Sequence, residues 1–186
     1  EPSYEGIPQG LHDPSQPYWT DSDVRRYAYW SVFAGGCGFS YGHNAIMQFH
    51  RMNDSDSAYG VKETWETALD AQGALQMQYL RQLILSESYF DRIPAQHLIA
   101  GPQGEKYDYL AATAGEHYAF IYTCNGRRFD VDMGKMKSSV IKASWFNPRN
   151  GTYTDIVTFS NSGIMTFDPP GEKEPGNDWV LVFTAT

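Results

Sequence analysis

Residues 21–44 read DSDVRRYAYWSVFAGGCGFSYGHN, and the change of period inside this stretch decides how the first half of the chain is built. Thr20 or Asp21 can cap a helix whose first turn carries Asp21 and Asp23, at the positive end of the helix dipole. Val24, Tyr27, Ala28, Ser31 and Val32 recur at helical spacing, and Gly35-Gly36 ends the run. Cys37–Tyr41 is short, bounded by glycines and compatible with a buried strand, which Gly42-His43-Asn44 leaves as a turn.

Upstream, residues 1–19 (EPSYEGIPQGLHDPSQPYW) are broken by Pro and Gly and read as a loop. Structureless stretches of that length in compact enzymes tend to serve function. Downstream, residues 50–64 read as a polar loop. One long helix is predicted from Glu66 to Ser86, with Gly73, Met77, Leu80 and Ile84 on a common face. A glycine inside a helix costs about 1 kcal/mol relative to alanine, so Gly73 marks close packing. Loop, helix, strand, helix is the closing end of an α/β layer pattern without its beginning. One strand cannot make a sheet, so this half is expected to complete itself against a companion polypeptide.

From Ile93-Pro94 onward, turn signals arrive at the short intervals of an all-β unit. Candidate strands are His97–Ala100, Tyr107–Thr113, His117–Thr123, Arg128–Asp132, Val140–Asn147, Thr152–Val157, Ile164–Phe167 and Trp179–Thr184. They fit a small antiparallel β-sandwich. The expected division is 1–94 for the α/β segment and 95–186 for the sandwich.

The net charge of −8 and the lack of a basic stripe argue against nucleic acid as a partner. No apolar run is long enough to span a bilayer. Cys37 and Cys124 make no metal or disulfide framework, and His12-Asp13 has no second histidine at ligand spacing, so no metal is expected. Gly38-Phe-Ser-Tyr-Gly42 resembles a serine nucleophile elbow only superficially. Asn53 and Asn150 begin glycosylation sequons, which matter in a secreted eukaryotic protein. The start at Glu1, with neither Met nor a signal peptide, predicts that something upstream was removed.

Glu1 and Glu5 flank Pro-Ser-Tyr. Two carboxylates so placed could converge on one site, as glycoside hydrolysis requires, or could be solvated loop acids. Tyr4, Trp19, Trp30 and Tyr41 could offer stacking faces or phenolic hydrogen bonds to a sugar, although Trp30 also sits at helical packing spacing. Tyr41 and His43 leave the expected strand at its C-terminal end, where parallel β/α folds meet ligands. His43 and Asn44 could donate to sugar hydroxyls or serve as ordinary turn caps.

Arg25 to Phe49 resembles the apiosidase-like glycoside hydrolases, a (β/α)8-barrel (TIM-barrel) family, through Arg25, Arg26, Ala34, Gly35, Gly38, Tyr41, Gly42, His43 and Asn44. Glu1-Pro2-Ser3-Tyr4-Glu5 looks like the family's Glu-Pro-x-Tyr-Glu at the end of barrel strand 7. Trp65, Leu69, Met77, Leu80 and Arg92-Ile-Pro94 are similar to its last helix and exit. Trp145-Phe-Asn-Pro-Arg149, Gly151-x-Tyr153 and the Pro169–Val182 stretch resemble the β-sandwich that often follows this barrel and carries a collagen-binding family name. The resemblance implies a fold that is the C-terminal part of a TIM barrel followed by an antiparallel β-sandwich. It implies a fragment of a retaining glycoside hydrolase whose nucleophile is the glutamate closing strand 7, Glu1 in preference to Glu5. Tyr4, Tyr41, His43 and Asn44 would shape the sugar subsite, and a companion polypeptide would supply the acid/base. No cofactor is implied, the substrate would be an oligo- or polysaccharide, and the setting would be secreted or periplasmic. Met47 stands where many relatives carry Trp, a departure that bears on sugar stacking. The competing readings are a binding or structural module, and a component of a larger assembly that has kept the fold without the activity.

Overall fold

The computed structural model describes residues 3–185 of the chain. Four helices come first: α1 (Asp21–Phe33), α2 (Asn44–Met47), α3 (Trp65–Ala68) and α4 (Gln72–Leu85). Nine strands follow: β1 (Ile93–Pro94), β2 (Ile99–Ala100), β3 (Ala111–Ala114), β4 (Tyr118–Thr123), β5 (Phe129–Asp132), β6 (Val140–Phe146), β7 (Tyr153–Ser160), β8 (Ile164–Phe167) and β9 (Trp179–Ala185). The α1 start is fixed by Asp23, whose Oδ2 accepts from the Thr20 amide and hydroxyl, each at 2.9 Å.

Two expectations need correction. The single helix over 66–86 is two helices, because Ala71 adopts φ −57°, ψ 139° and interrupts the helical path. The break moves Gly73 from mid-helix into the first turn of α4, where its N–H has no intrahelical acceptor. Residues 37–41 form no strand. The only parallel pairing among the described residues is an isolated bridge, Glu5 to His43, in which Glu5 N donates to Gly42 O (3.0 Å) and Asn44 N to Glu5 O (2.8 Å). A ladder needs successive partners, and this segment has one. The described residues therefore form a mostly-β chain with few helices, and they contain no barrel.

The β unit is a sandwich of a six-stranded sheet, in the order β1-β3-β4-β9-β6-β7, and a three-stranded sheet, β2-β5-β8, with every pair antiparallel. The central strands of the large sheet are buried on both faces, and period-two alternation sorts their side chains. Ala119, Ile121, Leu181, Phe183, Ile141 and Ala143 face the small sheet, with Phe129, Val131 and Phe167 opposite. Phe120, Tyr122, Val180, Val182 and Phe146 face α1 and α4, where they meet Ala28, Tyr29, Phe33, Leu80 and Leu83. That second face explains why β9 reads as almost continuously apolar. The register shift in the β6–β7 pairing at Ala143/Ser144 is a β-bulge near the sheet edge.

The helices are also tied to the sheet by a buried polar knot. Arg25 of α1 meets Asp178 in bidentate fashion (Nε–Oδ2 3.0 Å, Nη2–Oδ1 2.9 Å), with both side chains only 2% exposed. Gln76 Oε1 of α4 accepts from the same guanidinium, and Tyr122 OH donates to Asp178 at 3.2 Å. The Tyr29 and Tyr122 rings stack beside it, with centroids 4.8 Å apart.

Candidate substrate cleft and its polar frame

The parallel bridge sets residues 4–6 beside residues 42–44, and the sequence-predicted site residues gather there. Glu1 lies outside the described residues. Glu5 is half-buried, and its carboxylate is turned toward the helices: Oε2 accepts from Tyr41 OH (2.7 Å) and from Gly73 N at the start of α4 (3.1 Å). A Cβ at Gly73 would lie 2.2 Å from that oxygen, so a larger residue would displace the carboxylate from this position. Burial raises the Glu5 carboxyl above its usual value, as do nearby Asp21 and Glu63, while the two hydrogen bonds pull it down. Burial and the bond to Glu5 hold the Tyr41 hydroxyl well above its usual range, so it remains a donor.

His43 caps the short helix α2, its Nδ1 accepting from Ala45 N at 3.1 Å, while Nε2 lies 3.3 Å from Glu63 Oε1. Its side chain is 2% exposed. Burial lowers its pKa and Glu63 opposes the shift, which favours the neutral ring at pH 7. Asn44 is buried as well. Its Nδ2 donates to Gly6 O (2.7 Å) and Tyr59 O (2.9 Å), and its Oδ1 accepts from Gln48 Nε2 (2.7 Å). These side chains form a frame that joins residues 5–6, the α2 turn and the loop before α3.

Tyr4 lies on the other side of the bridge, its ring so close over Gly42 that a Cβ there would come within 2.4 Å. It opens onto a cleft of about 470 Å³ lined also by Ile7, Leu11, Trp19, Met47 and Tyr59. The loops around the cleft are sutured. Gly6 N donates to Trp19 O and Trp19 N to Ile7 O, each at 2.9 Å. Tyr18 OH donates to Gly60 O at 2.8 Å, and Lys62 Nζ sits 3.4 Å from the centre of the Tyr18 ring.

Tyr59, Glu63 and Gln48 escaped sequence reading, because their roles arise where two loops distant in sequence meet. Gly73 was the one local signal of a close approach. Trp30 is no part of this cleft; it packs edge-on to Tyr27 and Tyr109. Among the described residues no cluster of His, Cys, Asp and Glu could hold a metal ion.

Comparison with known proteins finds this arrangement similar to glycoside hydrolases. A solved structure titled "Glycoside hydrolase" is 44% identical with a TM-score of 0.95, covering 100% of this chain and 41% of its own. A glycoside hydrolase family 5 protein from Bacteroides vulgatus ATCC 8482 is 42% identical with a TM-score of 0.96, covering 100% of this chain and 40% of its own. Residues 1–91 match the family described as "Apiosidase-like, catalytic domain", and residues 93–184 match "Putative collagen-binding domain of a collagenase". The chain is thus glycoside hydrolase-like, with an apiosidase-like segment followed by the β-sandwich that bears the collagen-binding name. It spans about two-fifths of the length of those two structures. No curated protein matched.

Proposed function

We propose that residues 1–94 are the C-terminal part of a TIM-barrel glycosidase and contribute the nucleophile side of a retaining active site. The observation that carries this reading is the parallel Glu5–His43 pairing, whose outlet is an aromatic cleft beside Tyr4, three residues after Glu1. Parallel β/α folds receive ligands where neighbouring strands end. Glu1 is the nucleophile that attacks the anomeric carbon through an oxocarbenium-like transition state. A carboxylic acid of a companion polypeptide, which also completes the barrel, protonates the leaving oxygen, at the separation of about 5–5.5 Å typical of retaining enzymes.

Glu5 is a positioning residue. Its carboxylate engages Tyr41 and the α4 amide, which fixes the pitch of the segment that carries Tyr4. His43 and Asn44 act on the substrate through that same frame, since their polar atoms are engaged within the chain. The substrate is an oligo- or polysaccharide met in a secreted or periplasmic setting. Glu1→Gln in the assembled hydrolase should cost several kcal/mol of barrier, a loss of roughly a thousandfold or more in kcat, with sugar binding retained. Unchanged turnover excludes the role.

The sandwich, residues 95–186, is proposed as a brace, on the strength of the Arg25–Asp178 knot and the doubly buried sheet. Clean retention of the whole protein on collagen or on an insoluble polysaccharide, lost when only sandwich surface residues are changed, would overturn bracing as its sole role.

A further inference from the structure

Four non-glycine residues among those described have left-handed backbone: Leu11 (φ 59°), Phe49 (φ 50°), Tyr59 (φ 56°) and Lys106 (φ 52°). Leu11 and Tyr59 both line the aromatic cleft, one from each of its two loops. A bulky side chain in this region is strained, and such strain persists only where the surroundings over-determine it. At Tyr59 they do. Asn44 Nδ2 holds its carbonyl at 2.9 Å, Tyr18 OH holds the next carbonyl, and the ring packs on His12 with centroids 5.1 Å apart and planes tilted by 30°. Glycine would suit this backbone at no steric cost, and Gly60, the next residue, is also left-handed (φ 54°). A tyrosine there makes sense if its ring has a task.

We infer that Tyr59, with Trp19 and Tyr4, forms the stacking platform of a sugar subsite, and that this subsite selects a neutral glycosyl unit. The inference rests on the carbohydrate-active reading above and deepens it. Three aromatic rings around about 470 Å³ match the apolar C–H faces of a pyranose or furanose, in a volume ordinary for a small-ligand site. No Asp, Glu, Lys, Arg or His lines the cleft among the described residues, and its only polar side chains beyond the phenols and indole are Ser3 and Gln9. A uronate or sulfated sugar would place its charge against aromatic and aliphatic side chains, partly out of water and with no counter-charge in this lining. A neutral sugar meets amide and hydroxyl partners instead.

The test uses the assembled hydrolase and two probe sets, neutral oligosaccharides (arabino-, xylo-, manno- and gluco-) and oligogalacturonate, with affinity read by calorimetry and stability by thermal melting. Tyr59→Gly should keep or raise the melting temperature, since it relieves the backbone, and should weaken the best neutral ligand about tenfold or more. Tyr59→Phe should keep the affinity. Oligogalacturonate should bind more weakly than that ligand. The inference is overturned if no neutral probe binds the unmodified protein, if Tyr59→Gly leaves affinity unchanged, if it lowers the melting temperature as loss of a packing residue would, or if oligogalacturonate binds as well. Failure of the hydrolase reading looks different: no probe is cleaved, while Tyr59→Gly still weakens binding.

Discussion

The β-sandwich and the segment before it satisfy their backbones by different means. In residues 93–185 the ladders do the work, from β4 paired along its whole length with β9 to β5 with β8. In residues 3–64 only two isolated bridges exist, and side chains stand in for missing strands: Asn44 on Gly6 and Tyr59, Gln48 on Asn44 and Ala58, Glu5 on Gly73. Polar groups buried away from water must find partners. Where a sheet does not supply them, the polar residues of a motif must. A motif that reads as substrate-binding can therefore be spent on holding its own segment.

The contrast can be broken where the halves meet. Arg25→Ala would leave Asp178 buried without its cation and should destabilise the whole chain by about 3–5 kcal/mol, read as a single shifted transition in denaturant melts. If instead the sandwich keeps its stability and only the helices melt, the two halves are not one cooperative unit. Asn44→Ala probes the frame alone. The Gly6 and Tyr59 carbonyls lose this donor, while Gln48 Nε2 keeps the Asn44 and Ala58 carbonyls as acceptors, and stability should fall by about 2–3 kcal/mol. Hydrogen exchange should localise the loosening to residues 5–6 and 58–60, with β4 and β9 unaffected.

Gly73→Ala sharpens the comparison at one atom. Helix propensity favours alanine by about 1 kcal/mol, yet the new methyl would sit 2.2 Å from Glu5 Oε2 and 2.7 Å from Val24 Cγ2. A net loss of about 1–2 kcal/mol is expected from the overpacking. A gain in stability would show that Glu5 is free to swing away. The smallest effect concerns pH. With the Glu5 carboxyl raised by burial, the folded chain binds more protons than the unfolded one between the usual carboxylate value and the raised one. The Glu5 contribution to stability is thus present below that window and lost as pH rises through it. Glu5→Gln, which keeps an acceptor for Tyr41 or Gly73, should flatten this fall of stability with rising pH. An unchanged slope across that window would assign the titration to another group.

Much of the sandwich was legible because its signals are local. Alternation in Tyr118–Thr123, the Asn125-Gly126 turn and the Pro-Gly breaks placed six strands close to where they lie, whereas the expected strands His97–Ala100 and Tyr107–Thr113 begin in 3-10 turns (Gln96–Leu98 and Lys106–Asp108), and β1 escaped. The helix at Asp21 was legible for the same reason, through its cap and its glycine stop. The strand at 37–41 and the unbroken 66–86 helix were misread, because a strand exists only through its neighbours and a helix break at Ala71 has no residue signature.

The sequence alone therefore determined the helix at Asp21 and most extended segments of the sandwich, which faces are apolar, and that residues 1–94 resemble a glycoside hydrolase. Tertiary structure alone decided that the Glu5 carboxylate turns to Gly73, that His43 and Asn44 are consumed by the frame, and that Tyr59 closes the cleft. Period and capping act over a few residues, and so are written in local order. A partner brought across dozens of residues is chosen by packing and by the need of buried polar groups for hydrogen bonds, which no local pattern records.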